Sequence, residues 1–339
     1  MGVEERAVRA ARRDAAGATL FLAAAVYFGS GRLVHFDPAL AGYLAAVAIA
    51  LFSIVRRVSL FWRRPAAAFY GRELVKAVRR PRSLAATARN AGRDLVAQRF
   101  IARRGALRGS AHVLLSWGTL AGFAITLPLV FGWIHFEADG GRIYRAIFLS
   151  VPVARFSVDG VVGWLFFHAL SLAAVAVVLG ASYFLAARSR LRSGPFHVAP
   201  LLLLLAVAAT GLALPIAAKA GATLFRVAGI AHEAAVIVLL VTLPYGKLLH
   251  VFIRPLELGA ALVRERRERA CCAGCGATFA PTVQLAAVES MLAARGFTFA
   301  GHQRSCPGCR RRGLAGVHVR LLDAEFQPRP APALLRRVA

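Results

Sequence analysis

The sequence predicts an all-α integral membrane helical bundle of about six transmembrane helices, followed by a small C-terminal α+β metal-binding module. The chain of 339 residues is 58% hydrophobic with a mean hydropathy of +0.60, and its apolar residues form blocks long enough to cross a bilayer. The net charge is +27, and the basic residues cluster between these blocks, which is a pattern of membrane topology. Four of the five cysteines form two C-x-x-C pairs, which indicates a metal site in a reducing compartment.

The first part of the chain divides into a membrane hairpin and a basic segment. Residues 1–58 contain two apolar runs, Ala18–Phe36 and Ala39–Val58, which predict two transmembrane helices. Residues 59–110 are rich in arginine and carry aromatic side chains among the first charges. We expect this segment to be partly helical and to lie at the membrane surface against anionic lipid head groups. Its position between two spans argues against nucleic-acid binding.

The rest of the chain divides into four regions. Residues 111–255 predict a four-helix membrane core, residues 256–270 an amphipathic linker, residues 271–327 a four-cysteine module and residues 328–339 a disordered tail. The core helices are predicted at Ala111–Ile134, Val161–Ala187, Val198–Ala218 and Gly229–Phe252. Basic clusters flank alternate ends of the six spans. The charge rule therefore predicts a multi-pass protein of the inner (cytoplasmic) membrane with both termini in the cytoplasm.

The stretch Ile230–Pro255 carries the functional argument. It is a long apolar run with His232 near one end and His250 near the other. In one helix, five turns separate the two imidazoles, which then share a face about 27 Å apart along the axis. Imidazole is a common axial ligand of haem iron, and ionisable residues inside a membrane are functional candidates. The alternative is that each histidine only hydrogen-bonds to a neighbouring helix.

Two histidines are expected at the same depth near the cytoplasmic surface. His112 opens the third span and His250 closes the sixth, and these spans run antiparallel. The pair predicts one bis-histidine b-type haem between the two helices. Lys247 and Arg254 lie near the same end, where they are candidates for pairing with haem propionates or a quinone carbonyl. Alternatively, they only anchor the helix at the membrane surface.

A second pair of histidines is expected towards the outer surface. His168 on the fourth span and His232 on the sixth are candidates for holding a second haem. His168 could equally pack between helices or line a quinol pocket. His35 and His135 fall in or beside outer loops, where we expect them to be solvated.

Two stretches carry a family resemblance: HVLLSWGTLAGF, which begins at His112, and HEAAVIVLLVTLPYGKLLHVFIRP, which begins at His232. They resemble the membrane cytochrome b subunit (gamma subunit) of respiratory nitrate reductase. They are also similar to the related membrane subunits of heterodisulfide-reductase-like and dissimilatory-sulfite-reductase-linked complexes. The resemblance extends over residues 99–255. It implies quinol oxidation or quinone reduction, with electrons passing through b haems to or from a cytoplasmic iron–sulfur partner.

The chain departs from that family pattern at one position. Where the two-haem pattern has a second histidine on the early helix, this sequence has Gly122. The resemblance therefore supports a haem held by His112 and His250 and leaves an outer haem without its expected ligand. Either His168 takes that place or the chain binds a single haem.

The four-cysteine module predicts one tetrahedral metal ion. Its ligands are expected to be Cys272, Cys275, Cys306 and Cys309, with Cys271 spare. Zinc is favoured because closed four-thiolate sites are usually structural, and iron is the alternative. The order CxxCG, helix, GF and CPxC resembles the zinc-binding dimerisation module of Fur-type regulators, and CxxCG with CPxC also resembles rubredoxin. A helix and then a strand are expected between the two cysteine pairs.

These patterns together predict an electron-transfer subunit of an oxidoreductase complex rather than a self-contained enzyme. The sequence shows no phosphate-binding glycine loop and no nucleophile constellation. The expected partners are membrane lipid, quinone or quinol, and a cytoplasmic iron–sulfur subunit. The alternative is a non-redox membrane scaffold or transporter-like protein with a regulatory zinc-binding module, in which the histidines only pack.

Overall fold

The computed structural model describes residues 3–190, 195–266, 268–297 and 301–321, and most of them are helical. Long helices form a bundle. A small three-stranded sheet lies at one end of the bundle and the cysteine module at the other. We call these the sheet end and the module end.

The chain begins with two packed helices, α1 at Val3–Gly29 and α2 at Ala41–Trp62. Glutamates and arginines fill the first half of α1, so its apolar part is short, and the helix stops where a turn with left-handed backbone begins at Gly31. α1 is therefore not among the described helices that are long and apolar enough to cross a membrane. The predicted first span, Ala18–Phe36, is not helical in its C-terminal part, because α1 ends at Gly29, and the count of about six spans stays a prediction.

The basic segment forms three shorter helices at the module end, α3 at Pro65–Val78, α4 at Pro81–Ala91 and α5 at Arg99–Ala102. A proline opens both α3 and α4, where its missing N–H costs no helical hydrogen bond. The expectation of a partly helical segment agrees with this arrangement.

A long helix, α6 at Ala106–Val130, leads from the module end to the three-stranded sheet. Strands β1 at Ile134–Ala138, β2 at Ile143–Phe148 and β3 at Val151–Ser157 form an antiparallel meander. We expected His135, at the start of this region, to fall in or beside an outer loop, and no strand was predicted here. Apolar side chains of the sheet pack against the aromatic residues that open the next long helix.

The sheet end also holds a stacked pair of imidazoles. The rings of His35 and His135 are 3.9 Å apart at an angle of 15°. Both ring nitrogens of His135 are buried without a hydrogen-bond partner, and its Nε2 lies 3.7 Å from Oε1 of Glu137. The expectation that both histidines are solvated is therefore wrong for His135, because the stack and the sheet shield it.

Three long helices complete the bundle, α7 at Val161–Arg190, α8 at Pro195–Ala220 and α9 at Ala222–Thr242. Neighbours in sequence pack side by side, and α9 also packs against α2. In the described part of the chain, five helices are long and apolar enough to cross a membrane: α2, α6, α7, α8 and α9. Their exposed faces carry large apolar side chains, as expected of surfaces that meet lipid.

The last long helix ends earlier than the sequence predicts. Pro244 lies in a short 3₁₀ turn directly after α9, and the backbone at Gly246 is extended, so the helical hydrogen bonds stop there. A second short 3₁₀ turn precedes His250. The prediction that one continuous helix carries His232 and His250 on a common face is therefore wrong.

A short helix, α10 at His250–Ile253, leads into α11 at Pro255–Arg266, the predicted linker. α11 packs against α3, and its buried side chains are Leu256, Leu258, Ala261, Leu262 and Val263. Gly259 permits this approach, because a Cβ at this position would collide with the backbone oxygen of Tyr70 on α3.

The C-terminal module contains a two-stranded hairpin, β4 at Arg269–Cys271 and β5 at Thr278–Pro281, and two helices. α12 at Thr282–Ala293 is the predicted helix between the cysteine pairs, and it contacts α3. α13 at Pro307–Leu321 was not predicted. The expected strand after α12 includes residues 298–300, and the predicted disordered tail is residues 328–339; both lie outside the described residues.

Candidate functional sites

His112 lies near the start of α6 and is held by the basic segment. Its Nδ1 donates a hydrogen bond to Oε1 of Gln98 at 2.6 Å, and the side-chain nitrogen of Gln98 donates to the hydroxyl of Ser116 at 2.7 Å. Gln98 has the left-handed φ of 49° and is buried, so its amide is fixed. These bonds set the orientation of the imidazole, and no described hydrogen bond engages Nε2 of His112.

His250 opens α10 at the same end. Its Nδ1 donates to the backbone oxygen of Lys247 at 2.5 Å, so it is also Nε2 that remains for another partner. The side chain is exposed and lines a cavity of about 350 Å³ together with Phe61, Tyr70 and Arg254. Lys247, a predicted site residue, thus contributes through its carbonyl oxygen.

Arg254 is a partly buried cation beside this cavity. Its guanidinium lies over the ring of Phe100 at 4.1 Å, and its side chain is only 18% exposed. Nε is buried without a hydrogen-bond partner, and the nearest described carboxylate oxygen, on Glu257, is 3.6 Å away. Glu257 therefore forms an ion pair with Arg254, but no described hydrogen bond satisfies the buried Nε–H, so this position favours a further hydrogen-bond acceptor.

The structure brings His112, His250 and Arg254 into one region. His112 is within electrostatic range of both of the other residues. His112 is not among the described residues that line the cavity of about 350 Å³. The region is therefore a cluster of two oriented imidazoles and one guanidinium whose buried Nε–H has no hydrogen-bond partner, at the module end of the bundle.

His232 lies midway along α9 rather than near its outer end, because the helix begins earlier than predicted. Its Nδ1 donates to Oγ1 of Thr210 on α8 at 3.0 Å, and the Thr210 hydroxyl donates in turn to the oxygen of Ala206. Gly211 makes room for the ring, since a Cβ there would lie 3.1 Å from Cε1 of His232.

A cavity of about 450 Å³ opens beside His232 between five helices of the bundle. Gly122 also lines it, the position at which the resembling family has a second histidine. Most of the wall is apolar. The polar lining groups are Tyr43, Thr119, Thr126, Ser171 and His232.

His168 is placed away from this cavity. Its ring stacks on Trp164 with centroids 4.7 Å apart, its Nδ1 donates to the oxygen of Trp164, and it is exposed on α7. Neighbouring residues of α7 line the cavity, but His168 is not among the described lining residues. The structure therefore does not bring His168 and His232 together there.

The bundle contains an acidic residue that was not predicted as a site residue. Glu233 is half-buried on α9 next to His232, and a Cβ on Gly42 of α2 would lie 2.7 Å from its Oε1. The sequence could have indicated Glu233, because it follows His232 inside a predicted span and a carboxylate within the membrane is a functional candidate by default.

The four predicted metal ligands converge. Sγ atoms of Cys272, Cys275, Cys306 and Cys309 all lie within 4.8 Å of one another, and Cys271 is exposed outside this group. The β4–β5 hairpin carries the first pair and the N-terminus of α13 the second. Four thiolates at this separation could hold a metal ion such as zinc or iron.

Hydrogen-bond donors surround the sulfur atoms of the cluster. Sγ of Cys272 accepts from the backbone N–H of Cys306 at 3.1 Å and of Gly274 at 3.4 Å, and these bonds lower its pKa to about 6. The N–H of Ala277 lowers the pKa of Cys275, but the neighbouring thiols outweigh it and raise the value to about 11. The first thiolate therefore forms readily, and a bound cation would favour the others.

A cation also contacts the cluster. The Arg312 guanidinium donates a hydrogen bond to Sγ of Cys309 at 3.1 Å. Such contacts orient and stabilise metal ligands from outside the coordination sphere.

The fold and the sites define a class of protein: a helical chain whose described residues include five helices that could cross a membrane, joined to a small module with four cysteines that could hold a metal ion. Comparison of the chain with protein-family models, with curated proteins and with solved structures finds no match.

Proposed function

We propose that the protein is a membrane cytochrome b subunit that passes electrons between the quinone pool and a cytoplasmic iron–sulfur partner. In this proposal His112 and His250 hold one b-type haem. The observation that carries it is the cluster at the module end, where two imidazoles and Arg254, whose buried Nε–H has no hydrogen-bond partner, occupy one region.

The hydrogen bonds of both imidazoles support this assignment. Metal-bound histidine commonly donates its other ring N–H to a carbonyl or carboxylate, which fixes the ring and its tautomer. His112 does so to the amide oxygen of Gln98, and His250 to the backbone oxygen of Lys247. In both residues Nε2 is thereby the nitrogen that would bind iron.

Arg254 supports the assignment through its charge. A haem carries two propionates, and a guanidinium with a buried, unpartnered N–H is a suitable donor for one of them. When bound, the haem would supply one-electron redox chemistry. The chain's own residues would hold its iron, pair its propionate and shield it with the helices of the bundle.

The proposal contains a single haem. His232 lines a cavity with Gly122 rather than with a second histidine, and His168 lies outside the described lining. The apolar cavity beside His232 is a candidate site for the quinone ring, since such pockets combine apolar walls with a few polar groups.

The four-cysteine module is proposed to bind zinc and to dock the soluble partner. A module of this size buries little apolar surface, so the metal would supply much of its stability. Iron in the same site is the alternative, and it would give the module a redox role.

A visible spectrum of the purified protein, recorded reduced and oxidised, tests the proposal. The absorption bands of a b-type haem are expected in the wild-type protein and are expected to be lost from both His112→Ala and His250→Ala. A colourless wild-type preparation from cells that are supplied with haem precursors would contradict the proposal.

A non-redox scaffold or transporter-like protein is the second candidate. The observation that favours it is that Nδ1 of His168, His232 and His250 is satisfied by a residue on the same or the adjacent helix, as in histidines that only stabilise packing. The same spectrum separates the two candidates.

A further inference from the structure

A basic pocket lies where the linker helix α11 meets the cysteine module. It has a volume of about 420 Å³. Three arginines from three separate elements line it: Arg264 on α11, Arg269 on β4 and Arg310 on α13. No carboxylate is among the described residues of its wall.

The three guanidiniums are not neutralised by described ion pairs. Arg269 donates one N–H to the backbone oxygen of Phe279 at 3.2 Å, and Arg310 donates one to Oε1 of Gln303 at 3.0 Å. Both acceptors are neutral, so these hydrogen bonds do not neutralise the positive charges of the guanidiniums. In the described part of the chain, no carboxylate lies within salt-bridge distance of any of the three.

The remaining wall combines apolar and amide groups. Phe279 and Pro281 of β5 and Leu285 and Val288 of α12 form the apolar part, and Gln284 supplies an amide. Like charges held close together repel one another unless an anion lies between them, and the guanidinium fork matches the oxygens of phosphate.

We propose that this pocket binds a phosphate-bearing organic anion, whose phosphate contacts the three arginines and whose organic part lies against Phe279 and Leu285. The ligand would bridge α11, β4 and α13 and so fix the module relative to the linker. The phosphate belongs either to a soluble phosphorylated molecule or to a phospholipid head group. A head group is a candidate because the pocket lies at the basic module end of the bundle.

The test uses the purified full-length protein in a neutral detergent. Titration calorimetry with inorganic pyrophosphate and with ATP measures binding of soluble phosphates. Nanodiscs of phosphatidylcholine with or without phosphatidylglycerol, analysed by native mass spectrometry after release, measure retained anionic lipid. The variants are Arg310→Gln and Arg264→Gln, and the matched control is Arg311→Gln, which removes the same charge next to the pocket but is not in its described wall.

Either variant is expected to weaken binding by about tenfold or more, since each removes a charge-assisted contact to phosphate, and Arg311→Gln is expected to leave it nearly unchanged. A soluble ligand is identified if pyrophosphate or ATP binds saturably, the two pocket variants weaken this binding and Arg311→Gln does not. The same pattern for phosphatidylglycerol alone identifies a lipid head group.

Two results would overturn the proposal: none of the three probes binds, or the pocket variants and Arg311→Gln lose binding equally. The metal content of the module serves as the folding check, and it should be the same in all variants. The proposal does not depend on the haem, so a colourless protein leaves it intact.

Discussion

Gln98 and His112 form one of the contacts that join the basic segment to the membrane bundle: Oε1 of the amide lies 2.6 Å from Nδ1 of the imidazole. The left-handed backbone at Gln98 turns its side chain towards α6. A residue outside the long helices therefore sets the orientation of a histidine within them.

This contact yields a prediction about the proposed haem. Gln98→Leu removes the acceptor and should weaken haem retention by about 10- to 100-fold, as for other outer partners of metal ligands. Gln98→Glu keeps an acceptor but adds a negative charge, so it should retain haem and lower the midpoint potential. Haem content and redox titration measure both effects. If the two variants had the same haem content and the same midpoint potential, the contact would have no role at the proposed iron.

The cysteine cluster gives a second prediction. Cys306→Ser removes one of the four converging sulfurs and should reduce the metal content from about one ion per chain to a small fraction of that. Cys271→Ser is the matched control, because this exposed thiol lies outside the cluster. Elemental analysis of the full-length protein measures the difference and also decides between zinc and iron. Full metal content in Cys306→Ser would refute the assignment of the ligands.

Helix packing at the linker gives a third prediction. Gly259→Ala places a methyl group against the backbone oxygen of Tyr70, so α11 must move away from α3, at a cost of about 1–3 kcal/mol. Gly313→Ala on α13 meets nothing within 4 Å and should stabilise its helix by about 0.5–1 kcal/mol. Thermal unfolding in detergent compares them. A Gly259→Ala protein as stable as the wild type would show that the packing is not tight.

The stacked imidazoles at the sheet end give a prediction about pH. Burial lowers the pKa of His135, and the neighbouring His35 lowers it further, while Glu137 acts in the opposite direction. The unfolded chain then binds more protons than the folded one just below the ordinary histidine pKa of about 6.5. Stability should therefore fall as the pH decreases through that value.

Thermal unfolding at pH 7.5 and at pH 5.5 measures this dependence. His135→Gln should reduce the difference between the two pH values, whereas His318→Gln, an exposed histidine of α13, should not. An unchanged difference in His135→Gln would assign the pH dependence to other groups.

Much of the architecture could be predicted from the sequence because hydrophobic block length determines a membrane helix. α7, α8 and α2 begin and end close to the predicted limits, whereas α6 lies about one turn earlier in the sequence than the predicted span. α1 shows the limit of this reasoning. The predicted span continues to Phe36, but the helix ends at Gly29, before a turn with left-handed backbone at Gly31. The β1–β3 sheet was missed, since its short strands follow one another between two long helices and its polar residues resemble a loop.

Of the candidate site residues, some could be placed from the sequence and others could not. The four cysteines were predicted correctly as a cluster, because two C-x-x-C turns bring their sulfurs together by local geometry alone. The histidines depend on helix rotation and helix ends. Pro244 and Gly246 interrupt the predicted helix, so the spacing of His232 and His250 could not give their relative positions. The placement of Glu233 depends on the packing of α9 against α2, which the sequence does not specify.

The most direct test of the central claim is haem content, measured as reduced-minus-oxidised absorption and normalised per chain, in the wild type, His112→Ala, His250→Ala and His168→Ala. We predict b-type haem bands in the wild type, their loss in the first two variants and their retention in His168→Ala. Absent bands in the wild type, or full haem content in either His112→Ala or His250→Ala, would contradict this prediction.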